Sequence, residues 1–136
     1  ILGLSKKGIK PDKSFVSGSV SFFGINPDVD VKAVQIKVEY AGDIYNGNQV
    51  HYTTNNGSWR LNFYGETDSG KKFNDITRPS LGLPGAFQNK ILLFTKVNND
   101  SYKLKVLEDS ELDKLRETSS LCAKNGSSKY LFGIIQ

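Results

Sequence analysis

The stretch Val34 to Tyr40 alternates without a break: Val34, Ile36, Val38 and Tyr40 are apolar or aromatic, whereas Gln35, Lys37 and Glu39 are polar. Successive side chains of an extended chain point to opposite faces, so the pattern predicts a strand with one face in a core and one in water. A helix would scatter the same residues around its axis. An isolated strand leaves its backbone N–H and C=O groups without partners, so the rest of the chain must supply a sheet.

It has the residues to do so. Phe15 to Phe23, Gln49 to Thr54, Trp59 to Tyr64, Lys90 to Lys96, Tyr102 to Val106 and Tyr130 to Ile135 are rich in β-branched and aromatic residues. In one of them Trp59, Leu61 and Phe63 alternate with Arg60, Asn62 and Tyr64. Asn55-Asn56-Gly57 and Asn98-Asn99-Asp100 stand between strand pairs as hairpin turns, because Asn and Gly accept the left-handed backbone such turns require. Helix signals are few. Ser110 to Thr118 has Asp109 or Ser110 as a cap and Leu112 and Leu115 as a short apolar stripe. A second short helix is expected between Pro79 and Ala86, limited by Gly82, Pro84 and Gly85. Strands and turns in this succession predict an all-β barrel or sandwich.

A length of 136 residues suits a single domain, expected to span 1–136, and 38% hydrophobic with 24% charged residues is a globular composition. No apolar run reaches the roughly 20 residues of a membrane helix, so no membrane is expected among the partners. Ile1-Leu2-Gly3-Leu4 has neither the basic flank nor the cleavage site of a signal peptide. Met is absent everywhere, including position 1, and the expectation is a piece of a larger protein. Cys122 has no cysteine partner, which suits a reducing, cytoplasmic setting. One Cys and one His, His51, cannot make the usual four-ligand zinc site, and no cofactor or metal is expected.

The same scarcity bears on catalysis. A Ser/His/acid triad would have to use His51, within an expected strand, and no Gly-x-Ser-x-Gly elbow accompanies it. Asp30-Val31-Lys32 has the acid-x-Lys form of a metal-dependent nuclease, but the spacing recurs by chance and lies in a turn rich in Pro and Asp. Catalysis is therefore not expected of this domain.

Binding is better supplied. The net charge is +4, and its distribution is polarised: Lys6, Lys7, Lys10 and Lys13 stand against only Asp12 in the first 27 residues. Ser5 to Ser14 is basic, polar and interrupted by Gly8 and Pro11, the composition of an exposed arm whose lysines and Ser14 can meet phosphates. A second polar segment follows at His51 to Asn62. Tyr52, Thr54, Asn55, Asn56, Ser58, Arg60 and Asn62 gather side chains that bond base edges, with Asn suited to adenine and Arg to guanine.

The ordering of these features resembles the B3-like DNA-binding domain, found in plant transcription factors and in restriction endonucleases of the EcoRII N-terminal effector and BfiI C-terminal type. The likeness runs over roughly residues 1–118. Ser5 to Ser14 stands at the family's N-arm, Gln49 to Asn56 leads into its C-arm, and Trp59-Arg60-Leu61-Asn62 runs back out. Lys90 to Lys96 with the hairpin beyond resembles the late paired strands. The resemblance implies a seven-stranded open pseudobarrel with one or two short helices, gripping duplex DNA from the major groove. It implies contacts from Lys6, Lys7, Lys10, Lys13 and Ser14 on one arm. On the other it implies Tyr52, Thr54, Asn55, Asn56, Ser58 and Arg60; Asn62 belongs to the same polar segment, and outside the arms Lys71, Lys72 and Arg78 are further candidate phosphate contacts. The partner would be double-stranded DNA, and cleavage would belong to a nuclease domain or subunit of the parent restriction system. This C-arm departs from the EcoRII type in having Asn and Thr where Arg and Lys are richer. Three alternatives stand beside it: a single-stranded nucleic-acid-binding barrel, a carbohydrate-binding sandwich stacking on Tyr40, Tyr45, Tyr52 and Tyr64, and a small nuclease centred on Asp30 and Lys32.

Overall fold

The structure, a computed structural model, describes residues 22–25, 33–53, 58–77, 87, 89–119, 121–124 and 131–135. It is mostly β. β1 (Ala33–Tyr40), β2 (Asp43–Thr53), β3 (Ser58–Asn62), β4 (Ile91–Lys96) and β5 (Ser101–Leu107) form one open, curled sheet in the order β3-β2-β1-β5-β4. All its pairings are antiparallel except β1 with β5, which is parallel. β6 (Leu121–Lys124) and β7 (Leu131–Ile134) make a separate antiparallel pair. Two short helices complete the described elements, α1 (Asn74–Thr77) and α2 (Leu112–Thr118), the latter preceded by a 3-10 turn at Asp109–Glu111.

The alternation of β1 is realised as the sequence dictates: Ile36 and Val38 are buried, Gln35 and Lys37 exposed. β1 turns into β2 through Ala41 and Gly42, whose φ angles of 50° and 85° give the left-handed pair that a two-residue hairpin needs. Ala41 adopts that conformation against its Cβ, at a cost of about 1–2 kcal/mol. β2 then takes up a bulge. The register passes from Val38↔Tyr45 to Ile36↔Asn48, so Asn46 and Gly47 together oppose Lys37. The freed backbone of Asn46 exchanges both hydrogen bonds with Glu66 at 2.9 Å, which ties the chain leaving β3 to the bulge.

The core lies on one face of the sheet: Phe23, Ile25, Ile36, Val38, Tyr45, Val50, Tyr52, Phe73, Phe94, Tyr102 and Leu104 form one buried cluster. Aromatic rings hold its two ends. Tyr45 stacks on Phe73 with centroids 4.2 Å apart, while Phe23 meets Phe94 and Tyr102 at 5.3 and 5.2 Å. Such pairs contribute about 0.5–1.5 kcal/mol each beyond the area they bury.

Three expectations change. Phe15 to Phe23 was expected to be one strand, yet Phe22, Phe23 and Gly24 form a turn, with Gly24 at φ 88°. Residues 15–21 lie outside the described residues. The helix at 112–118 is present, but neither Asp109 nor Ser110 caps it, because both are taken up in the 3-10 turn. α1 at Asn74–Thr77 was not foreseen, and residues 79–86, where a helix was expected, lie outside the described residues.

Candidate functional site

Among the described residues β3 is the edge strand of the sheet, with β2 beside it. The last β1–β2 pair is Ala33↔His51, whereas β2 and β3 continue together through Tyr52↔Trp59 and Thr53↔Ser58. Among the described residues β2 and β3 stay paired for two residue pairs past the last pair with β1, roughly 7 Å of ribbon, and residues 26–32, which lead into β1, lie outside the described residues. Residues 54–57, which join the two strands, lie outside the described residues.

Val50 and Tyr52 face the core, so Gln49 and His51 take the opposite face, half-buried and exposed respectively. The register sets Asn62 opposite Gln49 and Arg60 opposite His51. On the other side Gln49 faces Gln35 of β1, so Asn62, Gln49 and Gln35 form a row of amides across three strands. None of the three amides has a side-chain hydrogen bond among the described residues. Lys37 follows two positions from Gln35, exposed and without an ion pair among the described residues. Farther along the same face Lys103 lies 3.7 Å from Glu39, which offsets part of its charge.

The expected contact residues divide. Asn62 stands on this polar face, and Ser58 and Arg60 lie in β3 opposite Thr53 and His51. Tyr52 does not: only 8% exposed, it belongs to the core cluster and supports the ribbon from beneath. Lys71 is exposed but committed to Asp43, 2.7 Å away, and the hydrogen bond and charge of that carboxylate hold its pKa above the ordinary lysine value. Lys72 is exposed, with its backbone bridged to Glu66 and no ion pair among the described residues. Lys6, Lys7, Lys10, Lys13, Ser14, Thr54, Asn55, Asn56 and Arg78 lie outside the described residues, as do Asp30 and Lys32.

Gln35, Lys37, Gln49 and His51 were not singled out as contacts from the sequence. The signal was the alternation of Val50 and Tyr52 with Gln49 and His51, and it becomes decisive once the pairing with β3 is known. The aromatic platform of the carbohydrate alternative is not assembled. Tyr45 and Tyr52 are buried, and Tyr40 packs against Phe73 and Phe87 at 5.9 and 5.2 Å. Tyr64 alone of the four is exposed, at 60%.

The root of the ribbon is held by a buried amide. Asn48 is fully buried at the bulge; its Nδ2 donates to the carbonyls of Tyr45 at 2.9 Å and Ile36 at 3.3 Å, and its Oδ1 accepts the N–H of Gly65 at 3.0 Å. One side chain thereby fixes β1, the bulge of β2 and the exit from β3 relative to one another. Among the described residues no group of three His, Cys, Asp or Glu side chains comes together as for a metal ion. Compared with protein-family models, curated proteins and solved structures, the chain matches none of them.

Proposed function

We propose that this chain is a sequence-specific duplex-DNA-binding domain of the B3-like type, which presents the β2–β3 ribbon to the major groove. One observation carries it: the β2–β3 pair bears Gln49 and His51 on the face turned away from the core, with Asn62 and Arg60 opposite them in register, and the two strands stay paired as far as Thr53↔Ser58. Strands are about 4.8 Å apart, so a two-stranded ribbon with its side chains fits a major groove about 12 Å wide. Asn and Gln pair bidentately with adenine and Arg with guanine, which makes this a base-reading inventory. Lys6, Lys7, Lys10 and Lys13 supply phosphate anchors, and the net charge of +4 favours the approach of a polyanion. The parent protein on this proposal is a restriction endonuclease with its cleavage chemistry in another domain or subunit. The domain is a cytoplasmic reader that completes its fold as an open pseudobarrel.

The test is binding selection from a randomised duplex pool, followed by competition with single strands. An enriched motif, bound more weakly as salt rises, is the expected result. Arg60→Ala and Asn56→Ala should each weaken specific binding by about 1–3 kcal/mol and leave nonspecific binding nearly unchanged. Enrichment of no motif, or better competition by single strands, overturns the proposal. Binding that ignores salt would point to an uncharged ligand such as a carbohydrate.

A further inference from the structure

Resting on that duplex-binding proposal, we infer that Gln49 and Asn62 act as a paired adenine reader at the root of the ribbon, and that Lys37, one strand inward, anchors the phosphate strand beside it. Neither Gln49 nor Lys37 emerges from the linear sequence as a contact. Their relation appears only in the register.

Gln49 and Asn62 are direct cross-strand partners on a face that Val50 and Tyr52, turned the other way, leave to solvent. Directly opposed residues of an antiparallel pair have Cβ atoms about 4.5–5.5 Å apart. Bases on one strand rise about 3.4 Å per step, so two such amides reach the same or adjacent base pairs. Each amide carries a donor and an acceptor, the complement of adenine N7 and N6. Both are half-buried, which limits the side-chain freedom lost on binding, and neither spends its hydrogen bonds on another described side chain. An amide held in place with open valences discriminates against a base that cannot satisfy it.

Lys37 occupies a different position in the same frame. β1 lies about 4.8 Å beyond β2, so with the ribbon in the groove its side chains meet the groove wall, where the phosphates are. Lys37 is exposed there, and across the pair it stands opposite the two bulge residues Asn46 and Gly47. Its neighbour across β5 is Ser101. The ammonium is therefore open to a phosphate oxygen, in contrast to Lys103, which shares the face with Glu39 at 3.7 Å.

The experiment repeats the duplex selection with the whole chain and with Gln49→Ala, Gln49→Glu, Asn62→Ala and Lys37→Ala, then measures affinities across a salt series by fluorescence anisotropy. The wild-type motif is expected to contain adenine, with the preference for it reduced about tenfold in Gln49→Ala and in Asn62→Ala. Gln49→Glu, which keeps the shape of the side chain, should lose the preference as well, so that misfolding does not account for the effect. Lys37→Ala should weaken all sequences alike and lower the salt slope by about 1. A motif unchanged in both Gln49→Ala and Asn62→Ala overturns the adenine reader. A salt slope unchanged in Lys37→Ala overturns the anchor. If the wild-type chain enriches no duplex at all, the underlying proposal falls. If it enriches a motif sensitive to Arg60→Ala but not to Gln49 or Asn62, only this inference falls.

Discussion

The N–H of Gly65 donates to the side-chain oxygen of Asn48 at 3.0 Å, and a Cβ built on Gly65 would lie 2.6 Å from that same amide. The hydrogen bond and the missing side chain are two aspects of one contact. The backbone leaving β3 approaches the β2 bulge closely enough to be held there only because residue 65 is glycine. The polar face of Gln49 and Asn62 lies just beyond this junction, so its geometry depends on a buried amide that touches no ligand itself.

Replacing Asn48 by Ala should therefore be costly. It removes three hydrogen bonds from a fully buried site and leaves the Gly65 N–H without its acceptor. An unsatisfied buried donor costs about 1–3 kcal/mol, and the total loss is expected at about 2–4 kcal/mol in urea denaturation. Gly65→Ala should cost about 1–3 kcal/mol by overpacking. In the double mutant the amide that the new Cβ meets is gone, so the second substitution should cost at least about 1 kcal/mol less than it does alone. Strict additivity would mean that the two residues do not act through this contact.

Tyr45 offers the opposite case. Its ring is fully buried against Phe73, yet its hydroxyl has no hydrogen-bond partner among the described residues. Tyr45→Phe keeps the stack and removes a polar group that burial penalises. Stability should stay level or rise by about 1 kcal/mol. Phe73→Ala, which empties the other half of the stack, should cost about 3–5 kcal/mol. A large loss in Tyr45→Phe on the same thermal or urea scale would mean that the hydroxyl is satisfied after all.

The contrast between these residues shows what the sequence does and does not display. β1 was legible because a strand with one buried face writes its period directly, as Val34, Ile36, Val38 and Tyr40 do. The first half of β2 was not. Asp43, Asn46, Gly47 and Asn48 look like loop residues, but Asn46 and Gly47 are a bulge and Asn48 is buried within it. Whether an Asn is a solvated turn residue or an interior clamp depends on Gly65, 17 positions away. The candidate site divides in the same way. Arg60 and Asn62 could be picked by chemical type, whereas Gln49 and His51 required the register. Tyr52, only 8% exposed, shows that an aromatic beside polar residues suits a strand's inner face as well as a binding loop.

Alkaline pH supplies a further check. Burial raises the phenol pKa of Tyr102 above its ordinary value near 10, with the charge of Asp100 adding to the effect, and burial raises that of Tyr45. The native state holds these protons more tightly than the unfolded chain. Stability from this source is therefore fully present below about pH 10 and is lost as pH climbs through the raised native values. Tyr102→Phe should flatten that alkaline loss. It should also cost about 1 kcal/mol at neutral pH, because the hydroxyl donates to the Phe22 carbonyl at 2.9 Å across 80 positions of sequence. Denaturation midpoints of both proteins between pH 7 and 11 test both effects. Parallel curves would show that Tyr102 does not carry the alkaline loss.

The ion pair of Lys71 with Asp43 makes a prediction about binding rather than folding. If this part of the surface meets phosphate, Lys72 contributes its whole charge, because no acid pairs with it among the described residues. Lys71 is already neutralised by a carboxylate 2.7 Å away. Exchanging that carboxylate for a phosphate gains little, so Lys71→Ala should hardly change the dependence of duplex affinity on salt. Lys72→Ala should lower its slope by about 0.9, the value of one phosphate contact on duplex DNA. Asp43→Asn should do the reverse: it frees the Lys71 ammonium, strengthens binding to all sequences and steepens the slope by a similar amount. A salt series on the three variants distinguishes these outcomes. Equal slopes in all of them would place this region away from the nucleic acid and leave the phosphate contacts to the other lysines.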